Sequence, residues 1–324
     1  MPKISIIIPV FNVETFLSQC VESLIKQTLN DIEIILIDDK STDLSLEIMQ
    51  KFALCDSRIR IIMHEKNLGT FLARKSGIKE AKGEFIIFVD ADDTLSLNAC
   101  EILYKKAIES NADIVHFNVV FAPPQSYIVT KPKIYTQTLQ DDEILGEIFV
   151  RDFKQSFLTL WMRLYSTHLV KAAISKLDFI DSHLTSSEDS ALFLPLCALA
   201  KKSIGTNEAI YFYTQNPNSL LKSKNPHIIF KQIADRAFLR DKLPILKQDK
   251  DLAQNKYFEK SLQNCCDLMD YFICYSSRFL SKNDARTCIS PYIKYSILSF
   301  KYVARWQIAV KLVIFCLTFG RKKL

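Results

Sequence analysis

Hydrophobic runs alternate with amphipathic segments over the first 120 residues. The run ISIIIPV at residues 4–10 is rich in β-branched residues on both faces, which is typical of a buried parallel strand. Further runs predict strands at 32–37, 59–63, 85–89 and 114–119. Apolar positions spaced by three or four residues predict helices near 16–29, 44–54, 70–81 and 98–110. This alternation predicts an α/β fold with a parallel sheet and right-handed crossovers.

The pattern changes after Pro123-Pro124. Residues 125–222 mix short helices and strands, residues 226–288 have a helical and polar pattern, and residues 290–319 are hydrophobic and basic. We therefore expect one domain over residues 1–222, in two halves that meet near 122, and a helical C-terminal region over 223–324.

Charge is concentrated at the C-terminus. The net formal charge is +6, yet the last forty residues hold eight basic and no acidic side chains. The basic residues thus do not form a nucleic-acid-binding face, and we expect no nucleic-acid partner. Basic residues interspersed with apolar ones favour an anionic membrane surface as the partner. Residues 308–319 are too few to span about 30 Å of hydrocarbon, so they form either a core helix or a helix in the membrane interface.

Composition narrows the class further. A hydrophobic fraction of 48% with 24% charged residues excludes intrinsic disorder. The nine cysteines are odd in number and lack metal-ligand spacing, and the N-terminus lacks a signal-peptide layout. We expect a cytoplasmic protein, peripheral to the inner face of the cytoplasmic membrane.

Ligands of open parallel sheets bind beyond the carboxyl ends of the strands. The first strand ends in Pro9-Val10-Phe11-Asn12, without the glycines that a dinucleotide fingerprint or a P-loop requires. The second strand ends in Asp38-Asp39 and the fourth in Asp90-Ala91-Asp92-Asp93. Neighbouring carboxylates repel unless a cation lies between them, which suits Mg²⁺ or Mn²⁺ carrying a phosphate. The alternative, capping of the next helix, explains one aspartate rather than three.

Two further sets of polar residues could serve such a site. Arg74 follows Asn67-Leu68-Gly69, and an arginine near an acidic metal site could hold a diphosphate or a nucleobase edge; it could also be an exposed helix residue. Glu188-Asp189 opens an apolar helix, where acidic residues are favoured by the helix dipole, or where one of them could act as a base.

These elements together carry a family resemblance. The segments IIIPVFN, IDDKSTD and NLGTFLARKSGIKEAKGEFIIFVDADD resemble glycosyltransferase family 2, whose fold is GT-A, over residues 3–120. Weaker similarity, including WMRLY at 161–165, extends to 222. The whole chain resembles bacterial enzymes that extend lipooligosaccharide or capsule glycans, including lipooligosaccharide galactosyltransferases. This implies a Rossmann-like, mostly parallel sheet flanked by helices, with nucleotide-sugar binding in residues 1–122 and acceptor binding in 123–222.

The resemblance also implies roles for individual residues. Pro9 and Asp39 would hold the base and ribose, and Asn67 and Arg74 would complete a uridine pocket. Asp90-Ala91-Asp92 would be the DxD motif that holds the nucleotide sugar. Asp92, with Asp90, would bind Mn²⁺ or Mg²⁺. Asp189 would be the general base, with Glu188 as the alternative.

The implied function is inverting, metal-dependent transfer of a sugar from a UDP-sugar, with galactose favoured. The acceptor would be a hydroxyl of a lipooligosaccharide, capsule or related surface glycan. Two alternatives stay open: a nucleotidyltransferase acting on sugar phosphates, and a non-catalytic scaffold peripheral to the membrane.

Overall fold

The structure is a computed structural model that describes residues 1–122, 133–153, 158–216, 223 and 225–277. The chain divides into two compact units. The first comprises residues 1–145 and 157–216, and the second residues 146–156 and 217–324. The predicted domain boundary at 222 remains a proposal, and the short segment 146–156 groups with the second unit.

Strands and helices alternate through most of the first unit. The strands are β1 (Ile4–Val10), β2 (Ile32–Asp38), β3 (Ile59–Met63), β4 (Phe85–Phe88), β5 (Thr94–Leu95), β6 (Ile114–Ala122), β7 (Leu139–Gln140), β8 (Arg163–Ser166) and β9 (Lys202–Thr214). The helices of the described chain are α1 (Glu14–Ile25), α2 (Ser45–Cys55), α3 (Thr70–Glu80), α4 (Ala99–Ser110), α5 (Asp142–Gly146), α6 (Thr167–Ser175), α7 (Glu188–Leu199), α8 (Pro226–Lys242), α9 (Lys250–Ala253) and α10 (Phe258–Ser277). A π-helical turn covers Glu147–Arg151 and a 3₁₀ helix covers Leu243–Gln248.

The nine strands of the described residues form one sheet of order β3-β2-β1-β4-β8-β6-β9-β5, with β7 paired to β9. Strands β3, β2, β1 and β4 are parallel, which confirms the mostly parallel sheet flanked by helices. Strand β8 pairs antiparallel with both β4 and β6. The strand–helix alternation does not predict this insertion, because β8 is only four residues long and comes from the WMRLY segment far along the chain.

Helix α3 packs closely on the sheet and carries Arg74. All seven residues of β2 are buried. A Cβ on Gly77 would lie 2.6 Å from Cγ2 of Ile7 in β1, so only glycine allows α3 to approach the sheet this closely. Arg74 lies three residues before Gly77 and therefore on the same side of the helix.

The carboxyl ends of β1 and β2 are joined by hydrogen bonds. The Asp39 N–H donates to the Val10 carbonyl (2.8 Å), and the Thr42 N–H donates to Oδ1 of Asn12 (2.8 Å). Asp43 accepts hydrogen bonds, at 3.0 Å each, from the N–H groups of Glu14 and Ser45, which are the first residues of α1 and α2. These hydrogen bonds join the loop after β2 to the loop after β1 and to the starts of the next two helices.

The second unit is helical over the part that the structure describes. Asn264 of α10 donates from Nδ2 to the Phe149 carbonyl (2.7 Å) in the π-helical turn. The helical C-terminal extension is thus confirmed for residues 225–277. The predicted basic, apolar segment at 290–319 lies outside the described residues. Among the helices that are described, none has both the length and the apolar character to cross a bilayer.

Candidate active site

Arg74 lies at the centre of the site. The residue is only 3% exposed, and its guanidinium donates hydrogen bonds to three carboxylates. Nη1 donates to Oδ1 of Asp189 (2.5 Å) and to Oε1 of Glu188 (3.4 Å), and Nη2 donates to Oδ1 of Asp90 (3.0 Å). A buried charge is tolerated only where it is paired, so this arrangement accounts for the burial of Arg74. The alternative of an exposed helix arginine is excluded.

Separate elements bring the three carboxylates together. Asp90 lies two residues beyond β4, while Glu188 and Asp189 are the first two residues of α7. The Leu160 N–H donates to Oδ2 of Asp189 (3.3 Å), so both oxygens of this carboxylate are engaged. Arg74 therefore joins the end of a central strand to the start of a helix about a hundred residues further along the chain.

Burial and mutual repulsion shift the proton affinities of the cluster. Desolvation, with a smaller contribution from Asp189, raises the pKa of Glu188 to about 7, although Arg74 opposes the shift. Desolvation also raises the pKa of Asp90 to about 6, against the opposing effect of Arg74. Burial lowers the pKa of Arg74, but the three carboxylates outweigh it and hold that pKa above its ordinary value.

The aspartates that follow Asp90 have different surroundings. Asp93 is fully buried, and it accepts hydrogen bonds from the Tyr211 hydroxyl (2.7 Å) and the Thr214 N–H (2.7 Å). Desolvation raises its pKa to about 8, with contributions from Asp90 and Asp92. Asp92 is half-buried, and its Oδ2 accepts from Nδ2 of Asn216 (3.0 Å). Asp93 therefore joins the end of β4 to β9 through hydrogen bonds, while Asp92 keeps contact with solvent.

Helix capping does not explain this aspartate run. The next helix, α4, begins at Ala99 and has Asn98 at its N-cap position. The two-residue strand β5 lies between the aspartates and that helix. The capping alternative is therefore wrong for α4.

The donor set fits a metal that arrives with a phosphate. The described residues contain no preassembled group of three His, Cys, Asp or Glu side chains that could hold a metal ion. Mg²⁺ in nucleotide sites usually takes one or two carboxylates, with phosphate oxygens and water completing the shell. Half-buried Asp92, beside Asp90, offers such oxygens, and we keep both as the predicted ligands.

The other predicted binding residues lie around the end of β2. Asp39 is buried and accepts from the N–H groups of Leu68 and Gly69, both at 2.8 Å. Oδ1 of Asn67 lies 3.2 Å from the Gly69 nitrogen and 2.7 Å from Nε2 of His183. Pro9 is half-buried in β1, in register with Ile37 of β2, and Ala91 is buried.

The contacts of Arg74 are with Asp90, Glu188 and Asp189, and its role toward uridine stays a prediction.

Sequence reasoning missed two residues that follow strands of the parallel part of the sheet. His64 hydrogen-bonds Asp39, and its position at the end of a strand is a signal that could have drawn attention to it. Phe11 follows β1 and is 46% exposed as a residue, in a motif that was otherwise recognised.

Residues 5–172 match the family model "Glycosyl transferase family 2", and the chain belongs to that family. It is 36% identical over 231 residues to "Uncharacterized glycosyltransferase EpsJ" of Bacillus subtilis (strain 168), covering 68% of this chain and 63% of EpsJ. The match thus spans slightly less than two thirds of that relative.

Two solved structures are similar over nearly the whole chain. The crystal structure of S. aureus TarS 1-349 in complex with UDP-GlcNAc has a TM-score of 0.59 at 18% identity, covering 94% of this chain and 92% of TarS. Mannosyltransferase PcManGT from Pyrobaculum calidifontis, in complex with GDP-Man and Mn²⁺, has a TM-score of 0.50 at 14% identity, covering 96% of this chain and 86% of PcManGT. The fold is GT-A, as the resemblance implied.

The raised carboxyl pKa values make the stability of the fold depend on pH. Glu188 and Asp93 keep protons in the folded state up to about pH 7 and 8, whereas the unfolded chain releases them near its ordinary values. The folded state then binds more protons, so the free energy of unfolding falls as pH rises toward 8. Desolvation, and the nearby Arg163, hold the pKa of His116 well below 6.5. This effect has the opposite sign, and it fades as the pH rises past about 6.5, where His116 of the unfolded chain loses its proton.

We expect the free energy of unfolding to fall by about 1–2 kcal/mol between roughly pH 6.5 and 8, as urea titrations would measure. Glu188→Gln and Asp93→Asn should each reduce that slope. Glu22→Gln, at an exposed surface ion pair, is the control and should not change it. Native slopes in both site variants would contradict the assignment.

Proposed function

We propose that the protein is an inverting glycosyltransferase that moves a sugar from a UDP-sugar to a hydroxyl of a bacterial surface glycan. The observation that carries the proposal is the Arg74 cluster, in which one guanidinium holds Asp90 beside Asp189. Membership of glycosyltransferase family 2 supports the reaction class. The UDP-GlcNAc complex of TarS, a protein of the same fold, supports a UDP-sugar as donor.

The donor would bind across the carboxyl ends of β1, β2 and β4. Asp92 and Asp90 would hold Mn²⁺ or Mg²⁺, and the Mn²⁺ complex of PcManGT supports a divalent metal in this fold. When bound, the metal would neutralise charge on the departing nucleoside diphosphate. The exposed ring of Phe11 follows Val10, whose carbonyl is bonded to Asp39, and so offers a surface on which a planar base could stack.

Further residues would complete the nucleotide pocket. Pro9, Asp39, Asn67 and Ala91 keep the binding roles that the family resemblance implies. Arg74 keeps its predicted role beside the nucleotide, and its contacts add the task of fixing the carboxylates.

Asp189 is our choice for the general base. Its side chain is 20% exposed, against 12% for Glu188, and it pairs with Arg74 at the shorter distance. Hydrogen bonds from Arg74 and from the Leu160 N–H fix the position of this carboxylate, as a general base requires. Glu188 is the more deeply buried of the two side chains and stays the alternative base.

The acceptor, the sugar and the membrane form the finer part of the proposal. Galactose and a lipooligosaccharide or capsule acceptor rest on the family resemblance. The eight basic residues among the last forty support peripheral attachment to the inner face of the cytoplasmic membrane. We expect the protein to sediment with anionic vesicles and to sediment less at high salt. The absence of sedimentation, or sedimentation that high salt does not weaken, would contradict electrostatic attachment.

No observation favours the two alternatives. A nucleotidyltransferase needs a glycine-rich, basic loop after the first strand, where this chain has Phe11-Asn12-Val13. A non-catalytic scaffold has no need of the paired carboxylates at Asp92, Glu188 and Asp189.

Release of UDP from a panel of UDP-sugars tests the proposal and its metal together. We expect turnover with Mn²⁺ and none in excess chelator. Asp92→Asn should lower turnover by about 100-fold or more with little change in thermal unfolding, because its side chain is half-buried and its amide can still bond Asn216. Full activity in chelator, or in Asp92→Asn, would overturn the metal assignment.

Two isosteric variants identify the base. Asp189→Asn keeps the size of the side chain but removes its basicity, so the turnover number should fall by about 10²–10⁴-fold with little change in the KM of the donor. Glu188→Gln should have a smaller effect. The reverse order in steady-state kinetics would assign the base to Glu188.

A further inference from the structure

Asp39 has nearly exhausted its capacity to accept hydrogen bonds. Its Oδ1 accepts from Nδ1 of His64 (2.7 Å) and from the Leu68 N–H (2.8 Å), and its Oδ2 accepts from the Gly69 N–H (2.8 Å). A carboxylate offers about four acceptor positions, two on each oxygen. One position therefore remains, and it lies on Oδ2.

The orientation of His64 is fixed at both ring nitrogens. Both oxygens of Asp39 already accept backbone N–H groups, so we assign the hydrogen of the Asp39–His64 bond to Nδ1 of His64. Its Nε2 lies 2.9 Å from Oγ of Ser76 on α3. The backbone N–H of His64 donates to the Asp38 carbonyl (2.9 Å). Only 8% of the His64 side chain is exposed. The ring is thus held with one N–H on Asp39.

Nucleobases differ in the number of N–H donors that they present side by side. Uracil and thymine present one ring N–H between two carbonyls. Hypoxanthine also presents one ring N–H from its six-membered ring, but beside a single carbonyl. Guanine adds an amino group next to its ring N–H and pairs best with two acceptor positions, one on each carboxylate oxygen. A donor that is buried without an acceptor weakens binding by about 5- to 150-fold.

We propose that His64 is a specificity-determining residue: by occupying Oδ1 of Asp39, it limits this carboxylate to a single N–H donor and so selects uracil over guanine. The inference rests on the proposed function, in which Pro9 and Asp39 hold the base and ribose, and it assigns the contact with the base to Asp39. The Leu68 and Gly69 amides alone leave one position on each oxygen, which is what guanine requires. His64 removes the position on Oδ1.

A purely structural role for the Asp39–His64–Ser76 chain of hydrogen bonds makes a different prediction. It would join β2, β3 and α3, and its loss would weaken all nucleotides to the same degree. Ratios between two nucleotides of equal size therefore separate the two roles. Inosine and guanosine diphosphate are such a pair, because they differ only in the 2-amino group.

The experiment measures dissociation constants for UDP, IDP and GDP by calorimetry with the full chain and Mn²⁺. The native protein should bind UDP, and should bind IDP about fivefold or more tightly than GDP. His64→Gln places its amide toward Ser76 and removes the donor from Asp39, so GDP should then bind at least as tightly as IDP. His64→Asn places an amide N–H where Nδ1 lies and should keep the native order.

The controls distinguish a failure of the inference about His64 from a failure of the proposed function. Ser76→Ala leaves the donor to Asp39 in place and should keep the native order. If no nucleotide binds the native protein, the proposed function fails. If UDP binds but native IDP and GDP do not differ, the inference is overturned while the function stands. The native comparison needs no variant to fold, and an unchanged IDP-to-GDP ratio in a folded His64→Gln would overturn the inference as well.

Discussion

The site depends on the pairing of one buried guanidinium with three carboxylates. Arg74 holds Asp90, Glu188 and Asp189 within hydrogen-bond distance, although the last two lie 114 and 115 positions away in the sequence. None of these charges is stable in this environment alone, because a buried charge without its partner costs several kcal/mol. The close approach of α3 at Gly77 and the Leu160 N–H on Asp189 both serve this pairing.

Burial gives the acidic residues after β4 separate roles. Asp93 accepts hydrogen bonds from Tyr211 and Thr214, and Asp90 accepts one from Arg74. Asp92, which is partly exposed to solvent, accepts one from Asn216. The three aspartates among positions 90–93 therefore differ in what they do: one contacts β9, one positions the Arg74 cluster and one stays partly exposed to solvent. Differences in environment rather than in residue type assign these roles, as in other sites where like carboxyl groups divide acid and base functions.

The local parts of the structure were predictable from the sequence. The parallel strands, the helices between them and the acidic ends of β2 and β4 follow from hydrophobic periodicity and from position along the chain. The insertion of β8 between β4 and β6 was not predictable, because a four-residue strand has too little periodicity and its pairing is set by tertiary contacts. The motifs named Arg74 and Asp189 separately. Their contact, like that of His64 with Asp39, depends on how distant segments pack.

The pairing of Arg74 with Asp189 can be measured directly by a double-mutant cycle on the free energy of unfolding. Arg74→Met alone should destabilise the protein by about 3–5 kcal/mol, because it leaves buried carboxylates without their cation. Asp189→Asn introduced into Arg74→Met should cost much less than in the native protein, or even stabilise it. The account predicts a coupling energy above about 1 kcal/mol. Additive effects of the two substitutions, within about 0.5 kcal/mol, would contradict it.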